Sequence, residues 1–210
     1  MRAVVGSLVL CAALAPPALS QTGGAQGVFE KDSNAEVKEF RPIRTRPFRE
    51  LLAKTQRLVE AGELSTQDTF DFTLEAERNA DGTLRNVKLT ELAAANGRWT
   101  SLVREFIAVL SDSGALSSLQ EADRLTITLR LDERASARLH AVVKSTEQAA
   151  QLAQGHNAML YLARHNERGR AGVEVLNNMA FSANGKQLTM QLDMSREQFG
   201  NLLRQHLSLP

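Results

Sequence analysis

The chain has 210 residues, 43% of them hydrophobic, 23% charged and 5% aromatic, with 25 Lys and Arg against 24 Asp and Glu. This is a globular composition, which excludes a collagen, a long coiled coil, a polytopic membrane protein and a fully disordered chain. The near-neutral balance leaves no polycation for bulk nucleic-acid binding, and the single cysteine excludes an intramolecular disulfide.

The opening, MRAVVGSLVLCAALAPPALS, reads as an address. Arg2 precedes an apolar run from Ala3 to Ala15, broken by Pro16 and Pro17, and Ala18 and Ser20 are the small residues before a cleavage point at Gln21. Residues 1–20 are therefore expected to be a secretory signal peptide. The apolar run is shorter than the roughly 17–25 residues a spanning helix needs. Cys11 follows Leu10, where a lipoprotein site wants a small residue, so it is read as filler that leaves with the signal. The expected protein is exported, periplasmic or secreted, with a bacterial envelope the favoured setting. Once processed it has no cysteine, and basic and acidic residues are equal in number.

Residues 21–47 read as a flexible leader that ends in a basic Pro/Arg segment. Arg41, Arg44, Arg46 and Arg49 could make peripheral contact with an anionic membrane surface. A solvated connector, with Phe40 and Phe48 tucked onto the domain, is the plainer reading. Pro47 then opens a helix over about Phe48–Ala61, with Leu51, Leu52, Leu58 and Val59 at helical spacing and Gly62 at its end.

From Thr69 the apolar period becomes two: Phe70, Phe72, Leu74 and Ala76 alternate with polar residues, as in a half-buried strand. Asn79-Ala-Asp-Gly82 is a turn, and Leu84–Glu91 returns with Val87 and Leu89 inward. A helix over about Arg98–Ser111 carries Trp99, Leu102, Val103, Phe106, Val109 and Leu110 on one stripe. A third strand, about Arg124–Asp132, follows. The Ala-rich stretch Arg134–His165 is read as one long helix, then a short helix covers Val173–Asn178. Asn184-Gly185 signals a type I′ hairpin turn, whose outgoing strand points Leu188, Met190, Leu192 and Met194 inward. Ser195 and Gln198 form a capping box for a last helix, Ser195–Leu207.

Strict alternation implies a sheet buried on one face only. The expected fold is a single α+β domain over 48–210. It has a largely antiparallel sheet of about five strands, helices packed on one face, and the order ββα-β-α-ββα. Hairpin-then-helix occurs twice, over about 68–111 and 179–207, with a lone strand and a long helix between.

Catalytic signatures are missing. There is no G-x-G-x-x-G, Walker loop, G-x-S-x-G or H-E-x-x-H. His140, His156, His165 and His206 lack the spacing of a helical metal pair. Asp71, Glu75 and Glu77 read as a solvated strand face, with Glu75 and Glu77 placed to pair with Arg85 or Lys88. No catalytic, cofactor-binding or metal residue is expected, and no cofactor.

Phe70–Leu131, with its Asn79-Ala-Asp-Gly-Thr-Leu-Arg-Asn-Val-Lys-Leu89 hairpin, resembles the C-terminal domain of TonB-like energy transducers. The resemblance spans the ββαβ part, about 68–132, and leaves the long helix and second hairpin, 134–210, outside it. It implies a small envelope domain whose third strand is a sheet edge that accepts a partner strand. The candidate edge is Leu125, Thr126, Ile127, Thr128, Leu129, Arg130 and Leu131. The cleavable N-terminus and the missing Pro/Lys-rich linker do not carry energy transduction.

Two functions are then in view. The first is a non-enzymatic envelope protein binding an unknown envelope protein or peptide through its sheet edge or polar sheet face. The alternative is a carrier or sensor of a small apolar ligand between the sheet and the long helix, motivated by Met159, Met179, Met190 and Met194.

Overall fold

The structure, a computed structural model, describes residues 44, 46–94, 96–119, 122–166 and 170–205. The expected signal peptide, the leader up to Ile43, and His206 lie outside them. Helix α1 spans Arg46–Glu60, with Pro47 in its first turn, and Gly62 at φ +70° lets the chain leave it. Strands β1 (Phe70–Arg78) and β2 (Leu84–Ala94) form the first hairpin, where Gly82 takes φ +89°. Helix α2 (Gly97–Asp112) is N-capped by Asn96, whose side chain accepts from the Arg98 N–H. A short 3-10 turn, Ala115–Leu119, leads to β3 (Arg124–Leu131).

The next segment departs from expectation. Arg134–Val142 is a strand, β4, and only Thr146–Asn166 is helix, α3. Ala135, Ala137, Leu139 and Ala141 alternate inward against Arg134, Ser136, Arg138 and His140. Alanine favours helix in isolation, and that propensity masked a period of two. Helix α4 (Arg170–Asn177), β5 (Met179–Asn184), β6 (Gln187–Ser195) and α5 (Arg196–Gln205) complete the fold. Ser195 and Gln198 exchange the two hydrogen bonds of the capping box. The β5–β6 turn centres on Gly185-Lys186, because Asn184 pairs with Gln187. Of these only Gly185 has positive φ, which fits a type II′ turn and corrects the expected type I′.

Among the described residues the architecture is α+β: five helices and one open six-stranded antiparallel sheet in the order β2-β1-β3-β4-β6-β5. With β4 recognised, hairpin-then-helix occurs three times in succession, at β1-β2-α2, β3-β4-α3 and β5-β6-α5. Register sets the core in rows across the sheet. Leu89, Leu74, Ile127, Leu139, Met190 and Phe181 are opposed in turn on the inner face. The outer face presents Glu75, Thr126, His140, Thr189 and Ser182 in the matching row. The apolar side chains of the helices and of the inner rows form one hydrophobic cluster.

Candidate functional site

The candidate edge Leu125–Leu131 is not an edge. Strand β3 pairs with β1 along one side and with β4 along the other, so its backbone groups are spent within the sheet. The unrecognised β4 is the reason: it occupies the side expected to be free. The real edges are β2 and β5, and both are blunted.

Strand β2 carries two bulges, one around Asn86 and Val87 and one at Leu92. Asn86 sits at φ +52°, and its side chain donates to Glu77. The first bulge turns Val87 out of the core, so that it is 45% exposed where an inward residue was expected. At β5 the edge is met by side chains from α3. Asn157 donates to the Phe181 carbonyl at 2.8 Å and accepts from the Phe181 N–H at 3.1 Å, matching both groups as a partner strand would. Arg164 donates to the Met179 and Leu176 carbonyls.

The outer sheet face is polar and pinned at one end. Arg130 pairs with Asp132 and Asp71, and Arg134 with Asp193. Glu77 pairs with Arg85 at 3.1 Å, and Glu75 stands opposite Lys88. His140 lies on β4, not on a helix, bonded to Thr189. Among the described residues no cluster of His, Cys, Asp and Glu could hold a metal ion. Of the basic segment, Arg44 bonds the Asp112 carbonyl and Arg46 pairs with Glu50 in the next turn of α1. Their guanidinium groups are therefore already engaged by protein oxygens.

One concave feature among the described residues is an apolar cavity of about 280 Å³, partly open to solvent, between the sheet and helices α1, α2, α4 and α5. Its floor is two core rows: Leu129, Ala137 and Leu192, then Phe70, Leu131, Ala135 and Met194. Trp99, Leu102, Val103 and Phe106 of α2 form one wall, and Phe199, Leu202 and Leu203 of α5 another. Helix α1 covers it with Phe48, Leu51, Leu52 and Thr55. The space exists because Ala135 and Ala137 put methyl groups where their neighbours carry Leu, Met or Phe. The residues that disguised β4 as helix are the ones that open the cavity.

No family model, curated protein or solved structure matches this chain.

Polar contacts at the cavity margin hold its walls. The Trp99 indole N–H donates to Asp68 at 3.0 Å, and its ring lies 4.8 Å from Phe70. Arg196, at the head of α5, donates to the carbonyls of Gln67 and Asp68 and so ties that helix to the same loop. The cover is fixed likewise. Phe48 meets Phe106 edge-on at 6.4 Å, Lys54 pairs with Glu105 of α2, and Gln56 donates to the Leu203 carbonyl. Inside, Thr55 is the polar residue of the cover, and its hydroxyl donates back to Leu51 of its own helix. Arg130 and Ser136 border the floor, but alternation places them with the outer face.

The sequence foresaw Trp99, Leu102, Val103 and Phe106 as a core stripe. It gave no sign that this stripe would stop short of the sheet. Of the four methionines proposed as a lining, only Met194 belongs to the cavity, while Met179 and Met190 pack in the core elsewhere. The cavity lies under α1, α2 and α5 and touches α4 at Val175, not under the long helix α3.

Proposed function

We propose that this protein is an exported, non-enzymatic carrier or sensor of a small apolar ligand, held between the inner sheet face and helices α1, α2 and α5. The observation that carries the reading is the 280 Å³ cavity walled by aromatic and aliphatic side chains. Native interiors pack as densely as organic crystals, and a partly open hollow of this size leaves its apolar lining short of dispersion contacts. Filling it with a ligand recovers them. Export rests on residues 1–20. Among the described residues no helix is long and apolar enough to cross a membrane.

The test is denaturing extraction of natively purified protein followed by mass spectrometry, with the lone tryptophan as a second reporter. Trp99 is in the cavity wall, so occupancy shifts its fluorescence. Finding no bound molecule, and no response of Trp99 to apolar probes, refutes the reading.

A second reading keeps the protein-binding role but moves it to the polar sheet face. Its support is Arg138, exposed at mid-sheet and without an ion pair among the described residues. Affinity capture from an envelope fraction should then lose its partner with Arg138→Glu. Unchanged capture removes this reading.

A further inference from the structure

The lining says more about the ligand than that it is apolar. An apolar cavity of about 150 Å³ takes one six-carbon ring, or about 25 Å³ per carbon. At that packing the 280 Å³ here take about eleven carbons. The charged residue on the lining, Arg130, turns its guanidinium to Asp71 and Asp132, and the Thr55 hydroxyl is already committed to Leu51. A charged group placed inside would therefore be desolvated without a partner.

The floor also has a shape. Ala137 lies between Leu129 on β3 and Leu192 on β6, and Ala135 between Leu131 and Met194. Two successive inward alanines flanked by larger residues make a furrow along β4. Strands on either side of β4 are about 9.5 Å apart. Once their Leu and Met side chains are allowed for, one methylene chain about 4 Å thick fits the lane. A compact cage or a fused ring of the same carbon number would strike both ridges.

We propose that the cavity is specific for a single unbranched, uncharged hydrocarbon chain of about eleven carbons, lying along β4 over Ala135 and Ala137. The proposal rests on the ligand-binding reading above and adds length, shape and charge to it.

The test is a titration of the full-length protein with hexanol, octanol, decanol, dodecanol and hexadecanol, read by Trp99 fluorescence and calorimetry. Each two-carbon step should tighten binding about fifteen-fold, then stop near decanol or dodecanol. Adamantanol has the carbon count of decanol in a compact cage and should bind at least about ten-fold more weakly. Decanoate should also bind more weakly than decanol. Ala137→Leu fills the furrow with three carbons and should move the optimum to about eight. Ala135→Leu should do the same if that variant folds poorly. Ser182→Ala, on the outer face of β5 and away from the cavity, should leave the series unchanged.

If no alcohol binds, the ligand-binding reading itself fails. If alcohols bind without a length optimum, or adamantanol or decanoate equals decanol, the carrier reading stands and the unbranched-chain proposal is overturned. An optimum that ignores both alanine substitutions places the chain away from β4 and overturns it as well.

Discussion

Replacing His156 by phenylalanine should stabilise the protein and remove part of its acid sensitivity. His156 lies on α3, is 4% exposed and stacks on Phe181 with ring centroids 4.7 Å apart. Neither ring nitrogen has a hydrogen-bond partner among the described residues. An unsatisfied buried polar group costs about 1–3 kcal/mol. Phenylalanine keeps the ring on Phe181 and removes both nitrogens, against about 1 kcal/mol for its slightly larger outline. The net expectation is a gain of about 1 kcal/mol, or roughly 2–4 °C in Tm for a domain of this size.

Burial also pushes the imidazole's pKa below its ordinary 6.5. As pH falls below 6.5, the unfolded chain takes up a proton that the folded chain refuses, so stability declines. That contribution is complete above 6.5 and is lost as pH drops toward the folded value. One unit below, the loss reaches at most about 1.4 kcal/mol. Urea melts of the two proteins at several pH values between neutral and mildly acidic isolate this term as their difference. The reasoning is refuted if the phenylalanine variant is less stable and the difference does not vary with pH. His156 would then have a polar partner in solution.

Two further outcomes bear on the sheet. Asn157→Ala should cost about 1–2 kcal/mol, since it removes two hydrogen bonds to the Phe181 backbone. Amide exchange at Phe181 should accelerate while Leu139, at the sheet centre, stays protected, and equal protection in both proteins would show that the clamp is not formed. Ala137→Leu should raise stability by about 1.5 kcal/mol. Three buried carbons contribute about 2.4 kcal/mol, less the rotamer freedom that leucine gives up. A fall in Tm on thermal denaturation would mean that the floor is already packed.

Much of the fold is legible where side chains differ strongly in polarity. Phe70 to Ala76 alternate with Asp71, Thr73, Glu75 and Glu77, and the period of two is unmistakable. The same holds for Leu188 to Met194, and the capping box at Ser195 names the helix that follows. Strand β4 is illegible because alanine marks no face strongly: the burial of Ala135 and Ala137 is decided by its neighbours β3 and β6, and β6 lies far away in sequence. That single omission carried β3 to an edge it does not occupy. Val87 was misplaced for a different reason, because the bulge at Asn86 is set by the pairing with Glu75 and Glu77. The cavity was illegible because a void is a property of facing layers. The identity of α1 and α2 as amphipathic helices does not say how closely they approach the sheet.

The repeated hairpin-then-helix plan has a kinetic side. Three of the five strand pairings join sequence neighbours through tight turns, while β1–β3 must close across β2 and α2, and β4–β6 across α3, α4 and β5. Local hairpins form in microseconds, and the long closures are the entropically costly steps. The furrow over Ala135 and Ala137 has both ridges only after β4 has met β3 and β6. It is thus among the last features to assemble. A molecule resident there acts on the finished protein: it slows the rate at which the sheet comes apart and leaves the rate at which it forms unchanged.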